Sequence, residues 1–347
     1  MPSVTIDACV LAAPSIQVSY QEVVDYVKTL LDWKKLLKEP WVAIYMSEHA
    51  AEAMFDAGVY PLRDELKRLF SAKGIQEYDV NTVGYLADEL LKKTRGFETY
   101  FRIRDVLSED VTTLPDLLSI HTGPVLSSDL ARIVVIMAIL RSCCRHPVLD
   151  HSLIVKPWQG SRRVQISAHI HDIETMRDDM MALPAPPEFF EGEILTCQNF
   201  REFVINLDEV AIWEAAEDED GLTLATKIAV YKSRLERNIE PDWDALQGFQ
   251  LGNEFYRRMR ECEQGGSRGL VERTLRSLSE TVEGQNMRAV HPKRRGRGGS
   301  DQQEMRAQDK AWRRDIDSKY HLHYWECADG TIEFASVGAH NMFDIPR

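Results

Sequence analysis

The chain has 347 residues, 44% of them hydrophobic and 28% charged, with 42 Lys+Arg against 55 Asp+Glu and a formal net charge of −13. Such a length suggests two domains and can fill a core without disulfide staples. The composition excludes wholesale disorder, and no run approaches the ~20 apolar residues of a membrane span. The start, Met-Pro-Ser-Val-Thr-Ile-Asp, lacks a basic region followed by an apolar core, so a cytoplasmic location is expected. The six cysteines form no C-x-x-C pair and read as free thiols in a reducing compartment.

In chain order, residues 3–12 predict a buried strand carrying one acid, Asp7. Ser19 then opens a helix over 20–37, with Val23, Val24, Val27, Leu30 and Leu31 on one face. Trp41 to Met46 predicts a second strand, and Ser47 caps a helix over 48–55. Another amphipathic helix follows over 61–73. A third strand is expected over 75–80, then helices over 83–93 and 97–106. Residues 126–142 read as a strongly apolar helix, and His151 to Pro157 as a short strand closed by proline. Strands alternating with helices predict an α/β domain with a parallel sheet.

Beyond residue 160 the texture changes. Residues 163–171 alternate as a strand does. Residues 208–237, 242–262 and 269–283 read as helices, and 310–316 as a short one. Residues 321–327 and 331–337 are two strands joined at Asp329-Gly330, a strong hairpin signal. The expected organisation is an α/β domain over 1–160, a mainly helical region over 161–287, a basic flexible loop over 288–309, and a helix with a β-hairpin over 310–347.

The chemistry-bearing residues gather in the first part. An acid ends the first strand (Asp7). A serine ends the second, with an acid on the next helix (Ser47, Glu52). A further acid opens the apolar helix (Asp129). Parallel strands direct their carboxyl ends to one edge, where ligands bind. Carboxylates gathered there repel, and a divalent cation offsets the repulsion. Oxygen ligands favour Mg²⁺ or Mn²⁺. Glu48 is an alternative second acid, and Asp150 a candidate fourth. The stretches Val4-Thr-Ile-Asp7-Ala-Cys-Val-Leu, Ala43-Ile-Tyr-Met-Ser47-Glu-His-Ala-Ala-Glu52 and Ser127-Ser-Asp129-Leu-Ala-Arg-Ile-Val resemble the PIN-domain nucleases. The resemblance covers about residues 1–160. It implies a PIN-like parallel sheet and metal-dependent ribonuclease activity, with Asp7, Glu52 and Asp129 as catalytic acids holding Mg²⁺ or Mn²⁺. An insertion over 75–122 accounts for the long gap between Glu52 and Asp129.

Charge is distributed unevenly. Residues 288–319 hold ten Lys/Arg and five acids, so this +5 window leaves −18 for the remainder of a chain of net −13. Lys293, Arg294, Arg295 and Arg297, with Arg313 and Arg314 further on, form a candidate surface for RNA or DNA across the 288–314 segment. The final 35 residues faintly resemble RelE-type toxins, through Arg313, Arg314, the His321–Tyr324 strand and His340. That likeness implies RNA cleavage, with Tyr324 and His340 among its acid/base groups, and a toxin or host-defence role. The helical middle, with its acidic turn Glu217–Asp220, is a candidate protein-partner surface. The alternative to an enzyme is a non-catalytic nucleic-acid-binding or scaffold subunit.

Overall fold

A computed structural model describes residues 1–121, 123–143, 150–176, 183–246, 248–265, 269–295, 301–340, 342 and 344–346. The chain is mixed α/β and divides into two units, residues 1–206 and 207–347. Among the described residues no helix is long and apolar enough to cross a membrane.

The first unit runs β1 (Ser3–Ile6), α1 (Ala8–Leu11), α2 (Tyr20–Leu36), β2 (Ala43–Met46), α3 (Ala50–Asp56), α4 (Arg63–Lys73), α5 (Val80–Lys93), β3 (Arg95–Gly96), α6 (Phe97–Phe101), β4 (Ile103–Leu114), α7 (Pro124–Cys143), β5 (Ser152–Ile154), β6 (Arg163–Thr175), β7 (Glu188–Cys197) and α8 (Phe200–Asn206). Its seven strands form one sheet in the order β3-β2-β1-β5-β7-β6-β4. The pairs from β3 to β7 are parallel, and β6 and β4 extend the sheet antiparallel. β1, β2 and β5 are buried at every residue, as central parallel strands are when helices cover both faces. β6 alternates buried and exposed over Arg163–Ile170, having one face against the core. α7 lies against β4, β6 and β7 with Ile133 to Leu140 all buried. Such an all-apolar helix is stable only inside a core.

Strand order reverses at β1. The chain steps out through β2 to β3 on one side, then returns to β5 on the other. That reversal leaves a crevice at the carboxyl ends of β1 and β5. Asp7 N–H donates to the Ile154 carbonyl across it, at 3.0 Å. Beneath, the buried His151 ring bonds the Ser3 and Thr5 hydroxyls at 2.7 and 2.8 Å.

The second unit runs α9 (Glu209–Glu214), α10 (Glu219–Glu236), β8 (Phe249–Leu251), α11 (Phe255–Gln264), α12 (Leu270–Val282), β9 (Val290–Pro292), β10 (Met305–Arg306), β11 (Asp309–Asp315), β12 (Tyr320–Glu326) and β13 (Ile332–Ala339). The sheet order is β10-β11-β12-β13-β8, with β9 pairing β11. Leu322, Tyr324, Phe334 and Val337 share a core with Trp213, Phe255 and Leu278 from the helices. The hairpin expected at Asp329-Gly330 joins β12 to β13, with Gly330 at φ 88, where a β-carbon is strained.

Several elements differ from expectation. Residues 75–80 form no strand, because Asp79 accepts from Thr82 N–H and caps α5. The helix expected over 97–106 ends at Arg102, at φ 59, and β4 begins there. The helix expected over 310–316 is instead strand β11, with the buried Ala311 and Arg314 on its opposite faces. The segment 288–309 is only partly loop, since β9 and β10 both pair with β11. β6 and β7 belong to the first sheet, so the α/β unit extends past 160 to residue 206.

Candidate functional site at the carboxyl edge of the parallel strands

Asp7 leaves β1 and at once becomes the N-cap of the one-turn α1, its Oδ2 accepting from Cys9 N–H at 3.3 Å. An acid is favoured there because the first amides of a helix lack partners. The cap holds the Asp7 carboxylate and Cys9 on one turn. A short 3₁₀ turn at Leu118–Ile120 delivers His121, whose Nε2 stands 3.1 Å from Asp7 Oδ2. Both side chains are almost fully buried. Burial first, and the Asp7 carboxylate second, push the Cys9 thiol well above its ordinary value.

A second group lies at the end of β2. Ser47 Oγ is 2.9 Å from Asp129 Oδ1 and 3.3 Å from Glu98 Oε1, and it accepts from His49 N–H at 3.1 Å. A hydroxyl has one proton to give, and the shorter contact assigns it to Asp129. Arg132, one turn along α7 from Asp129, donates to Ser47 Oγ at 3.0 Å, to Asp129 Oδ1 at 3.1 Å and to Glu98. The other Glu98 oxygen accepts from Glu48 N–H at 2.9 Å, while Glu48 Oε1 accepts from Thr99 N–H at 3.1 Å. These reciprocal bonds lock the start of α6 to the end of β2. A β-carbon on Gly96 would stand 2.2 Å from Glu48 Oε1, so any side chain there displaces the Glu48 carboxylate from Thr99 N–H.

Burial raises the Asp129 carboxyl, Arg132 and Ser47 pull it back, and the nearby Asp7 carboxylate adds to the rise. Burial also works against the Arg132 charge, but Glu98 and then Asp129 outweigh it and hold the guanidinium above its ordinary value. A pocket of about 420 Å³ opens at the same edge, between Asp116, Ser119 and Ile120 on one side and Lys156, Pro157 and Trp158 on the other.

Asp129 feels the Asp7 charge, but the two acids have separate polar partners, Cys9 and His121 for one and Ser47 and Arg132 for the other. Glu52 does not join them. α3 buries Ala50, Ala53 and Met54, and Glu52 falls on the opposite, exposed face. Glu98 is the buried acid that contacts Ser47 and Arg132. Glu48 caps α6 rather than facing the cluster. Asp150, before β5, is half-buried. Glu98 and His121 were not signalled as site residues, since each follows a turn whose placement is set by long-range packing.

The basic residues are scattered. Lys293 is buried, its ammonium donating to the Met342 carbonyl at 2.7 Å, and burial lowers its pKa. Arg314 is fully buried between sheet and helix, held by Glu280 at 2.6 Å and by the Gln285 carbonyl. Both are taken out of a solvent-facing cationic arm by these contacts. Arg294 donates to the Asp301 carbonyl at 2.7 Å, Arg295 is exposed, and Arg313 is half-buried. Arg297 lies outside the described residues. Tyr324 is buried in the core, which pushes its hydroxyl up to about 12. His340 is exposed at the end of β13 and bonds His321.

No family model, no curated protein and no solved structure matches the chain.

Proposed function

We propose that the first unit is a metal-dependent phosphodiester hydrolase of PIN-like type, acting on RNA in a toxin or host-defence setting. The observation that carries this reading is the placement of Asp7 and of the Ser47-linked pair Asp129 and Glu98 at the carboxyl edge of parallel strands where strand order reverses, near enough for Asp129 to feel the Asp7 charge. The donor set accommodates one ion on the Asp7 side. Arg132 already neutralises much of the Glu98 and Asp129 charge, whereas beside Asp7 the buried His121 Nε2 makes no hydrogen bond. Asp7 and His121 would hold a divalent ion there, and its chemistry would be to acidify water and stabilise the leaving oxygen. The chain's own residues do the rest. Asp7 holds the ion, and Ser47 and Arg132 fix the Asp129 carboxylate. Lys156 at the pocket rim offers its ammonium to a phosphate.

A cleavage assay with labelled RNA and DNA in Mg²⁺ or Mn²⁺ tests the reading. Wild type is expected to cleave, and Asp7→Ala to lose cleavage by about a hundredfold or more. Equal cleavage by both proteins rejects the assignment.

A second reading rests on Arg132. An internal guanidinium that neutralises two acids is also what a non-catalytic nucleic-acid-binding or scaffold subunit would carry. No cleavage with any ion, together with RNA binding unchanged in Asp7→Ala, selects that reading. For binding, replacing Arg294, Arg295 and Arg297 by glutamine is expected to weaken RNA affinity and to reduce the slope of log affinity against log salt by about two to three units. An unchanged slope places the nucleic-acid surface elsewhere.

A further inference from the structure

Among the described residues one group of three side chains has ligand atoms close enough to share an ion: Asp7, Cys9 and His121, all within 4.8 Å of one another. We propose that these three bind a zinc ion. The proposal deepens the hydrolase reading by naming the ion, and it rests on that reading only for the ion's task.

The donor chemistry makes the choice. One carboxylate oxygen, one sulfur and one imidazole nitrogen are the ligands of a borderline-soft ion. Magnesium prefers oxygen alone and keeps its water. Three protein ligands with a fourth position left over is the pattern of zinc sites that do chemistry. Zinc takes sulfur at ~2.3 Å and nitrogen or oxygen at ~2.0–2.2 Å, so its ligand atoms lie about 3.3–3.8 Å apart. The Asp7–His121 contact is already 3.1 Å, and the Cys9 sulfur lies within 4.8 Å of both ligand atoms.

Charge and burial agree with the donors. Zinc on a carboxylate, a thiolate and a neutral imidazole is formally neutral, which suits a site whose Asp7 and His121 side chains are 3% and 1% exposed. The Cys9 thiol proton leaves to solvent as the zinc–sulfur bond forms. His121 Nε2 is a buried polar atom without a hydrogen bond, and a buried ring nitrogen left so is costly unless something else takes its lone pair. Two of the three ligands share one held turn, because the N-cap bond from Cys9 N–H fixes Asp7 and the Ile154 carbonyl holds the same turn.

The test uses the full chain, stripped with chelator and titrated with Co²⁺ as the optical probe. One equivalent is expected to bind with a thiolate-to-cobalt charge-transfer band in the near ultraviolet. Zn²⁺ should displace it, and Mg²⁺ should not at a hundredfold excess. Cys9→Ser should remove the charge-transfer band, and His121→Gln should weaken Co²⁺ by about tenfold or more. Circular dichroism and thermal unfolding establish that each variant is folded. If either variant fails to fold, the wild-type band and its displacement by Zn²⁺ decide, with Asp7→Asn as the remaining ligand variant. Folded wild type without the band overturns the proposal, as does a band that persists in folded Cys9→Ser. Cobalt binding with the band but no cleavage under any ion leaves the zinc site standing and removes the hydrolase. Cleavage in Mg²⁺ without the band does the reverse.

Discussion

Arg132→Met is expected to destabilise the first unit by about 3–5 kcal/mol, the cost of breaking a buried ion pair from one side. The side chain keeps its stem length and loses its charge. Glu98 and Asp129, with side chains 2% and 7% exposed, then face each other with no cation and only Ser47 and the Glu48 amide as donors. Arg132→Lys should recover part of the loss. Its ammonium keeps the charge but lacks the planar fork that reaches Ser47, Asp129 and Glu98 together. Urea unfolding of the full chain, followed by a probe in the first unit, measures the change. A loss below about 1 kcal/mol would mean that the two acids are well solvated.

The same variant asks whether Glu98 and Asp129 can themselves take a cation once Arg132 is gone. With Arg132 gone, a cluster able to take a cation should recover stability as Mg²⁺ or Mn²⁺ is added, by about 1.4 kcal/mol for each tenfold excess over Kd. The penalty should also shrink in acid, because each carboxyl left without its cation can then bury itself protonated. Asp129 already leans that way, its carboxyl raised chiefly by burial. A variant that ignores added cation and recovers only in acid assigns Glu98 and Asp129 to the fold and leaves the ion to the Asp7 side.

The parts of this site that sequence makes visible are those with a local cause. Asp7 is an acid where an apolar strand stops, and Asp129 is an acid in the opening turns of an apolar helix. Both positions follow from capping and periodicity. Glu52 obeys the same local logic, being an acid in a helix's first turn. Its face of α3 is decided by which residues pack inward, and a seven-residue helix carries too few turns to fix that from pattern alone. Glu98 shows the converse, a carboxylate among Phe97, Tyr100 and Phe101 whose burial depends on Arg132 and Ser47, remote in sequence. Arg313 and Arg314 looked like one basic patch because they are adjacent. In β11 adjacency means opposite faces, so Arg314 points to the helices and Glu280 while Arg313 does not. The α/β class and the terminal hairpin survive such errors because many residues specify them at once.

Acid sensitivity should appear well above the carboxylate range, because each unit buries a neutral histidine. Burial pushes His151 down to about 3, and it pushes His323 down to about 3 with help from Lys293, His321, Arg313 and Arg258. In the unfolded chain both titrate near 6.5. Between those values the unfolded state holds more protons, so stability is complete at neutral pH and falls as pH drops through about 6.5 toward 3. At pH 5 each histidine removes about 2 kcal/mol, a figure set almost wholly by the unfolded value and hence insensitive to how far below 5 the folded one lies. Asp129, whose carboxyl burial raises, protonates early in the folded state and offsets part of the loss in the first unit as pH falls. Glu89 is held down near 2 by Lys34 and Lys93, so its contribution fades only below its ordinary value, in more acidic solution. Urea midpoints at pH 7.5 and 5.0 measure the fall. His151→Gln keeps groups that can bond Ser3 and Thr5, and it should remove about 2 kcal/mol of the pH-dependent loss from the first unit alone. His323→Gln, beside Ser336, should do the same for the second. A pH dependence that survives both substitutions would assign the acid sensitivity to other groups.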